Sequence, residues 1–159
     1  MNSSQVQTTN SQSFMNDNII SLTENIQKLS DDNFNLNSYD KITLKSTYCT
    51  LILFHNNNAE SNKFLRIFGE ASLNATTRFA SVNLSSQRGI SDAFSNISSD
   101  SPYAKFRLQQ IPYVLVYRNG YPKAYYNGDR SVAEISNFAV TLACSPSYEE
   151  TTQKYRGIN

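Results

Sequence analysis

The stretch FHNNNAESNKF, residues 54–64, holds the chain's one histidine, His55, and a neighbouring acid and hydroxyl, Glu60 and Ser61, where an apolar run gives way to a helical pattern. Junctions of this kind, at the carboxyl end of a strand, are where open α/β sheets place their ligands. Chemistry here would be nucleophilic, with Ser61 attacking and Glu60 or His55 as base. That reaction needs base and nucleophile within hydrogen-bond reach and a third group to orient the base. No such third group stands out, and the residues read more simply as a helix first turn, with Asn58 or Ser61 as N-cap and Glu60 near the positive end of the helix dipole. His55 is expected to be a half-exposed polar cap at the strand end. Cys49 and Cys144 form no C-x-x-C, and with a single histidine they make no zinc set, so neither metal nor cofactor is expected.

The elements that must position these residues fit one domain, since 159 residues carry one core and not two. A formal charge of +1 removes the electrostatic footprint of a protein that binds nucleic acid or an anionic membrane. No apolar stretch approaches the roughly 20 residues of a membrane span. The start MNSSQVQTTNSQSF has neither a basic leader nor an apolar run, so a cytoplasmic, reducing location is expected. Sequons at Asn2, Asn74, Asn83 and Asn96 are what chance delivers in an Asn- and Ser-rich chain. Residues 1–22 and 145–159 are polar, with too few apolar side chains to offset ordering entropy. They are expected to be tails held by neighbouring proteins in an assembly, around a domain at 23–144.

Within the domain, ENIQKL (24–29) predicts a strand and SDDNFN a turn. TYCTLILFH from Thr47 is a near-continuous apolar run, the pattern of a central strand buried on both faces. Phe64, Ile67, Phe68 and Ala71 follow at helical spacing, predicting a helix over 59–72. FASVNL (79–84) predicts a strand parallel to the central one, because a helix separates the two. The Ser-rich connector 85–102 keeps Ile90, Ala93, Phe94 and Ile97 at helical spacing, and SPYAKFRL offers Ser101 and Pro102 as a helix start, so one or two short helices are expected. IPYVLVYRNGYPKAYYNG predicts an antiparallel hairpin turning at Asn119–Gly120. SVAEISNFAVTLA predicts a closing helix with a capping box of Ser131 and Glu134 and an apolar stripe of Val132, Ile135, Phe138, Ala139 and Leu142. The fold class is α/β, a mixed sheet with helices on both faces.

In this order and with these motifs the chain from Glu24 to Ala143 resembles a thioredoxin domain. The resemblance rests on SDDNF after the first strand, LILFH entering the active-site turn, IPYVLVYRNG in place of the family's Ile-Pro-Thr strand and hairpin, and NGDRSVAEI before the last helix. It implies a cis bond between Ile111 and Pro112, facing the active-site turn. It also shows what is missing. Where thioredoxins carry W-C-G-P-C-K, with a thiolate of lowered pKa that attacks and a second thiol that resolves, this chain has Ala59, Glu60, Ser61 and Asn62 before Lys63. Asn58 replaces the tryptophan and Leu53 the buried aspartate that moves the resolving thiol's proton. The resemblance thus implies a redox-inactive member of the family with no enzymatic activity. It also places Cys49 and Cys144 near one pole, in adjacent layers about 10 Å apart, which predicts two free thiols.

Three functions follow as expectations. The first is a structural or protein–protein interaction module, and the Asn, Ile, Tyr and Phe bias together with the resemblance to redox-dead thioredoxin-like proteins of large DNA viruses points to a minor capsid or virion component. The second is a divergent thiol oxidoreductase working with a single cysteine. The third is a chaperone-like module that keeps a peptide groove at Ile111, Pro112 and Tyr113, where the alternative is a proline kept for loop shape alone. Tyrosines 113, 117, 121, 125 and 126 suit either strand propensity or an aromatic interface.

Overall fold

The computed structural model describes residues 25–36, 42–107 and 110–145. The expected tail 1–22 lies outside these residues, as does 145–159 apart from Ser145. Among the described residues five strands form one sheet: β1 (Ile26–Leu29), β2 (Thr50–His55), β3 (Arg78–Asn83), β4 (Tyr113–Arg118) and β5 (Tyr121–Tyr125). Their order across the sheet is β1-β3-β2-β4-β5. The strands β1, β3 and β2 pair in parallel, β4 pairs antiparallel with β2, and β5 antiparallel with β4; the order makes β2 central, as its unbroken apolar run predicts.

Three α-helices among the described residues pack on the sheet: α1 (Ala59–Ser72), α2 (Arg88–Ser95) and α3 (Val132–Thr141). Period-two alternation along β2 sends Leu51 and Leu53 to one face and Ile52 and Phe54 to the other, all fully buried. The first face meets Phe64 and Phe68 of α1 and Ile135 and Phe138 of α3. The second meets Ile90 and Phe94 of α2 and Phe106. Each such fully buried side chain contributes about 1.5–3 kcal/mol relative to exposure, which fixes the register of β2 and hence the place of the turn that follows it.

The connector holds α2 as expected, but its second helix is a short 3-10 turn at Ala104–Phe106, and Ser101 uses its hydroxyl to accept from the Tyr103 N–H rather than to cap an α-helix. The start of α2 is satisfied from across the molecule: the Asp31 carboxylate accepts from the N–H groups of Gly89 and Ile90, at 3.1 and 2.9 Å. A Cβ on Gly89 would lie 2.8 Å from Leu36 and 2.9 Å from Asp31, so a larger residue would have to push these two side chains aside. At the hairpin, Asn119 and Gly120 have φ of 55° and 88°, the left-handed pair of a tight turn. The turn docks on the segment entering β2, with the Leu44 N–H donating to the Gly120 carbonyl at 2.7 Å. Past the turn the β4–β5 register shifts between Val116 and Tyr117, opposite Pro122.

Candidate functional site

The central strand ends at His55 and α1 begins at Ala59, so the turn is built by Asn56, Asn57 and Asn58. Asn58 is the N-cap, its side-chain oxygen accepting from the Ser61 N–H at 2.7 Å. The Ser61 hydroxyl accepts from the Asn56 N–H at 3.1 Å and donates to the Asn56 side-chain oxygen at 3.0 Å. That same oxygen accepts from the Asn58 N–H at 2.9 Å. The result is a closed ring of neutral hydrogen bonds. It uses the short polar side chains for what they do best at a helix start, which is to replace backbone partners that the first turn lacks.

Of the four positions that the sequence resemblance aligned with a thioredoxin active site, Ala59, Glu60 and Asn62 face solvent while Ser61 is wholly buried. The acid and hydroxyl therefore do not meet, since adjacent helical residues point in different directions. Glu60 instead pairs with Arg130 at 3.3 Å. Arg130 also donates to the carbonyl oxygen of Pro112 at 2.9 Å, and its guanidinium lies 4.7 Å from the centre of the Phe64 ring. One side chain from the loop before α3 thus ties together the turn, the first helix and the proline. The Ile111–Pro112 bond is cis, and Tyr113 beside it pairs with the Tyr125 ring at 5.8 Å. Burial, with Tyr125 adding to it, pushes the Tyr113 hydroxyl well above the usual phenol range. Arg130 escaped sequence reasoning. Its only signal is a cation directly before the N-cap Ser131 in NGDRSVAEI, and nothing local says that it reaches across to Pro112.

His55 departs from expectation: it is 7% exposed, not half-exposed. As the last residue of a central strand it points under α1 rather than over the rim. Its Nδ1 lies 3.2 Å from the Asn56 carbonyl oxygen. Burial holds its pKa below the ordinary 6.5, the Asn56 carbonyl opposes this, and the Lys28 charge adds to the lowering. The ring borders a cleft of about 400 Å³ shared with Lys28, Asn57, Asn62, Asn83 and Gln87.

The two cysteines are not free thiols. Cys49 and Cys144 form a disulfide with a Cα–Cα distance of 5.9 Å. The layer spacing that argued against a bridge does not apply, because neither residue lies in a layer: Cys49 precedes β2 and Cys144 follows the end of α3 by three residues. Both sit where the chain turns between layers, at the pole opposite the Asn-rich turn. Nor do the tyrosines form one aromatic edge. Tyr117 is buried and donates to the Ile42 carbonyl at 2.7 Å, Tyr121 stacks near Tyr103, and Tyr126 packs on Phe138.

Sheet order, the cis proline and the strand-to-helix turn define a thioredoxin-like fold. The structure is similar to solved thioredoxin-like domains: the J-Trx1 fragment of ERdj5, with TM-score 0.53 and 17% identity over 73% of this chain and 49% of that one, and the human ERp44 zinc-bound form, with TM-score 0.50 and 22% identity over 72% of this chain and 30% of that one. Full-length ERdj5 aligns with TM-score 0.51 at 13% identity, over 80% of this chain and 17% of that one. The chain thus spans half or less of the structures it matches. The sequence matches no family model and no curated relative. Among the described residues no group of three or more His, Cys, Asp or Glu could hold a metal ion, and no helix is long and apolar enough to cross a membrane.

Proposed function

We propose that this chain is a redox-inactive thioredoxin-fold module that acts by binding and bracing other proteins, as a minor component of a large assembly such as a virus capsid. The observation that carries the reading is the state of the turn. Where the fold's chemistry would sit, Asn56, Asn58 and Ser61 satisfy one another, and the proline's carbonyl oxygen is occupied by Arg130. A hydroxyl nucleophile needs an adjacent base and access to substrate, whereas Ser61 is buried and donates to a neutral amide oxygen. The Arg130 contact also speaks against an open peptide groove at Ile111, Pro112 and Tyr113. The assembly part of the reading is supported by the polar composition of residues 1–22 and 145–159. The bridge is compatible with a particle that leaves a reducing cell and meets oxidising surroundings.

Two experiments test this reading. In an insulin reduction assay the protein should add nothing to the rate with dithiothreitol alone, and an increase that survives Cys49→Ser/Cys144→Ser would overturn the inactive turn. In size fractionation of the native extract, the chain should elute with a large complex. Elution only as a monomer would overturn the assembly reading.

A further inference from the structure

The parallel strands β1, β3 and β2 end at one edge of the sheet, at Leu29, Asn83 and His55. From β2 the chain crosses to α1 on the Leu51–Leu53 face, and from β3 it crosses to α2 on the opposite face. Where neighbouring strands send their connections to opposite faces a crevice opens, and open α/β sheets bind their ligands there. The cleft of about 400 Å³ beside His55 fills this position, with Asn57 and Leu65 on the α1 side and Ser86 and Gln87 on the α2 side.

Its floor holds two unspent polar groups, on Ser81 and His55, which are 6% and 7% exposed. The Ser81 hydroxyl has no hydrogen-bond partner among the described residues. The His55 Nδ1 faces the Asn56 carbonyl, which only accepts, so Nδ1 carries the proton of the neutral ring and Nε2 is left as a bare acceptor. Among the described side chains only Nε of Arg107 is both sealed from solvent and unpartnered, so the Ser81 hydroxyl and His55 Nε2 open into the cleft that these residues line. The walls add donors. The side-chain oxygens of Asn57 and Gln87 already accept, from Asn83 and from the Asp31 N–H, which leaves their amide N–H groups to give. Lys28 is the cleft's one cation among the described residues, and no ion pair engages it there. The Asp31 carboxylate is taken up by the N–H groups of Gly89 and Ile90.

We propose that this cleft binds a small carboxylate with a hydroxyl or amide N–H beside its acid group. The carboxylate meets Lys28 and the amide donors, the hydroxyl or N–H donates to His55 Nε2, and a short aliphatic body lies on Ile26, Leu29 and Leu65. Two sources share this chemistry, a free 2-hydroxy acid and the carboxyl terminus of a protein chain. The cleft shares no residue with the Asn56–Asn58–Ser61 ring or the Arg130 contact, so its failure would leave the proposed function standing.

The experiment titrates the folded, ¹⁵N-labelled full-length protein and follows amide and imidazole NMR signals. The probe is 2-hydroxy-4-methylpentanoate; 4-methylpentanoate lacks its donor and 2-hydroxy-4-methylpentanamide lacks its charge. The hydroxy acid should saturate, move the His55 Nε2 signal and the Ser81 amide, and bind about fivefold tighter than either analogue. Lys28→Gln should abolish the preference for acid over amide while keeping that for the hydroxyl. Tighter binding of acetyl-Gly-Gly-Leu than of the hydroxy acid assigns the site to a protein terminus, and the reverse order to a free acid. No saturation with either probe, equal affinity for acid and amide, an unchanged preference in Lys28→Gln, or shifts that leave His55 and Ser81 unmoved would each overturn the proposal.

Discussion

Removing the bridge with Cys49→Ser/Cys144→Ser should cost the fold about 2–5 kcal/mol. The two residues are 95 apart in sequence, so the loop they close contains everything from β2 through α3. For a loop of about 100 residues, the chain-entropy argument gives about 4.7 kcal/mol from restriction of the unfolded chain. Residual compactness of the unfolded state lowers this figure. The assay is urea unfolding followed by far-UV circular dichroism, because the chain has no tryptophan to report on the core. The midpoint should fall, and the urea dependence should steepen because the opened chain exposes more surface on unfolding. Adding reductant to the wild-type protein should reproduce the variant, and the variant itself should ignore reductant. A loss below about 1 kcal/mol with unchanged urea dependence would refute the reasoning, since it would mean that the bridge restricts no states that the unfolded chain visits.

Ser61→Ala leaves the part-buried Asn56 N–H without its hydroxyl acceptor and should cost about 1 kcal/mol; a neutral result in thermal unfolding would show that the hydrogen-bonded turn is not what holds α1 in place. Gly120→Ala puts a Cβ at φ +88° and 2.7 Å from the Leu44 carbonyl oxygen, so a loss above about 1 kcal/mol is expected, and an unchanged urea midpoint would contradict the docking of the hairpin. His55 has a folded pKa below 6.5, so the unfolded chain takes up a proton that the folded one refuses. Its contribution is complete above the unfolded value and is lost as the pH falls through 6.5. His55→Gln should therefore flatten the fall in stability as the pH drops below about 6.5, and a wild-type protein that gains stability over the variant on acidification would reverse the assignment. Ala59→Cys/Asn62→Cys in the Cys49→Ser/Cys144→Ser background should form a disulfide yet reduce insulin poorly, since Leu53 and Asn58 restore neither proton transfer nor the tryptophan wall. Turnover like that of a thioredoxin would show that those two positions do not matter.

What was legible in the sequence was what neighbouring residues decide. The bounds of α1 follow from the Asn58 cap and the Phe64–Phe68–Ala71 stripe, the hairpin from Asn119–Gly120, and the closing helix from Ser131, whose hydroxyl accepts from the Glu134 N–H at 3.3 Å. What stayed hidden depends on distance in space. Asp31 caps α2 from 58 and 59 positions away, Arg130 reaches Pro112 across 18 and Glu60 across 70, and the bridge needed the positions of two chain turns and not of two layers. His55 was misjudged for the same reason, since a strand end is a sequence boundary whose depth is set by the helix that folds over it.

The two outer strands bear on how such a module could sit among neighbours. An outer strand with unpaired N–H and C=O groups is a template on which another chain can extend the sheet. Here β1 has only four residues, with Lys28 among them, while β5 follows a register shift and carries Pro122, which has no N–H to offer. Both margins are therefore poor seeds for strand addition, in a chain whose central run TLILF would be an aggregation hazard if it were exposed. Any contact that the proposed binding role requires would then fall to side chains, whose geometry can be specific, rather than to the described margins of the sheet.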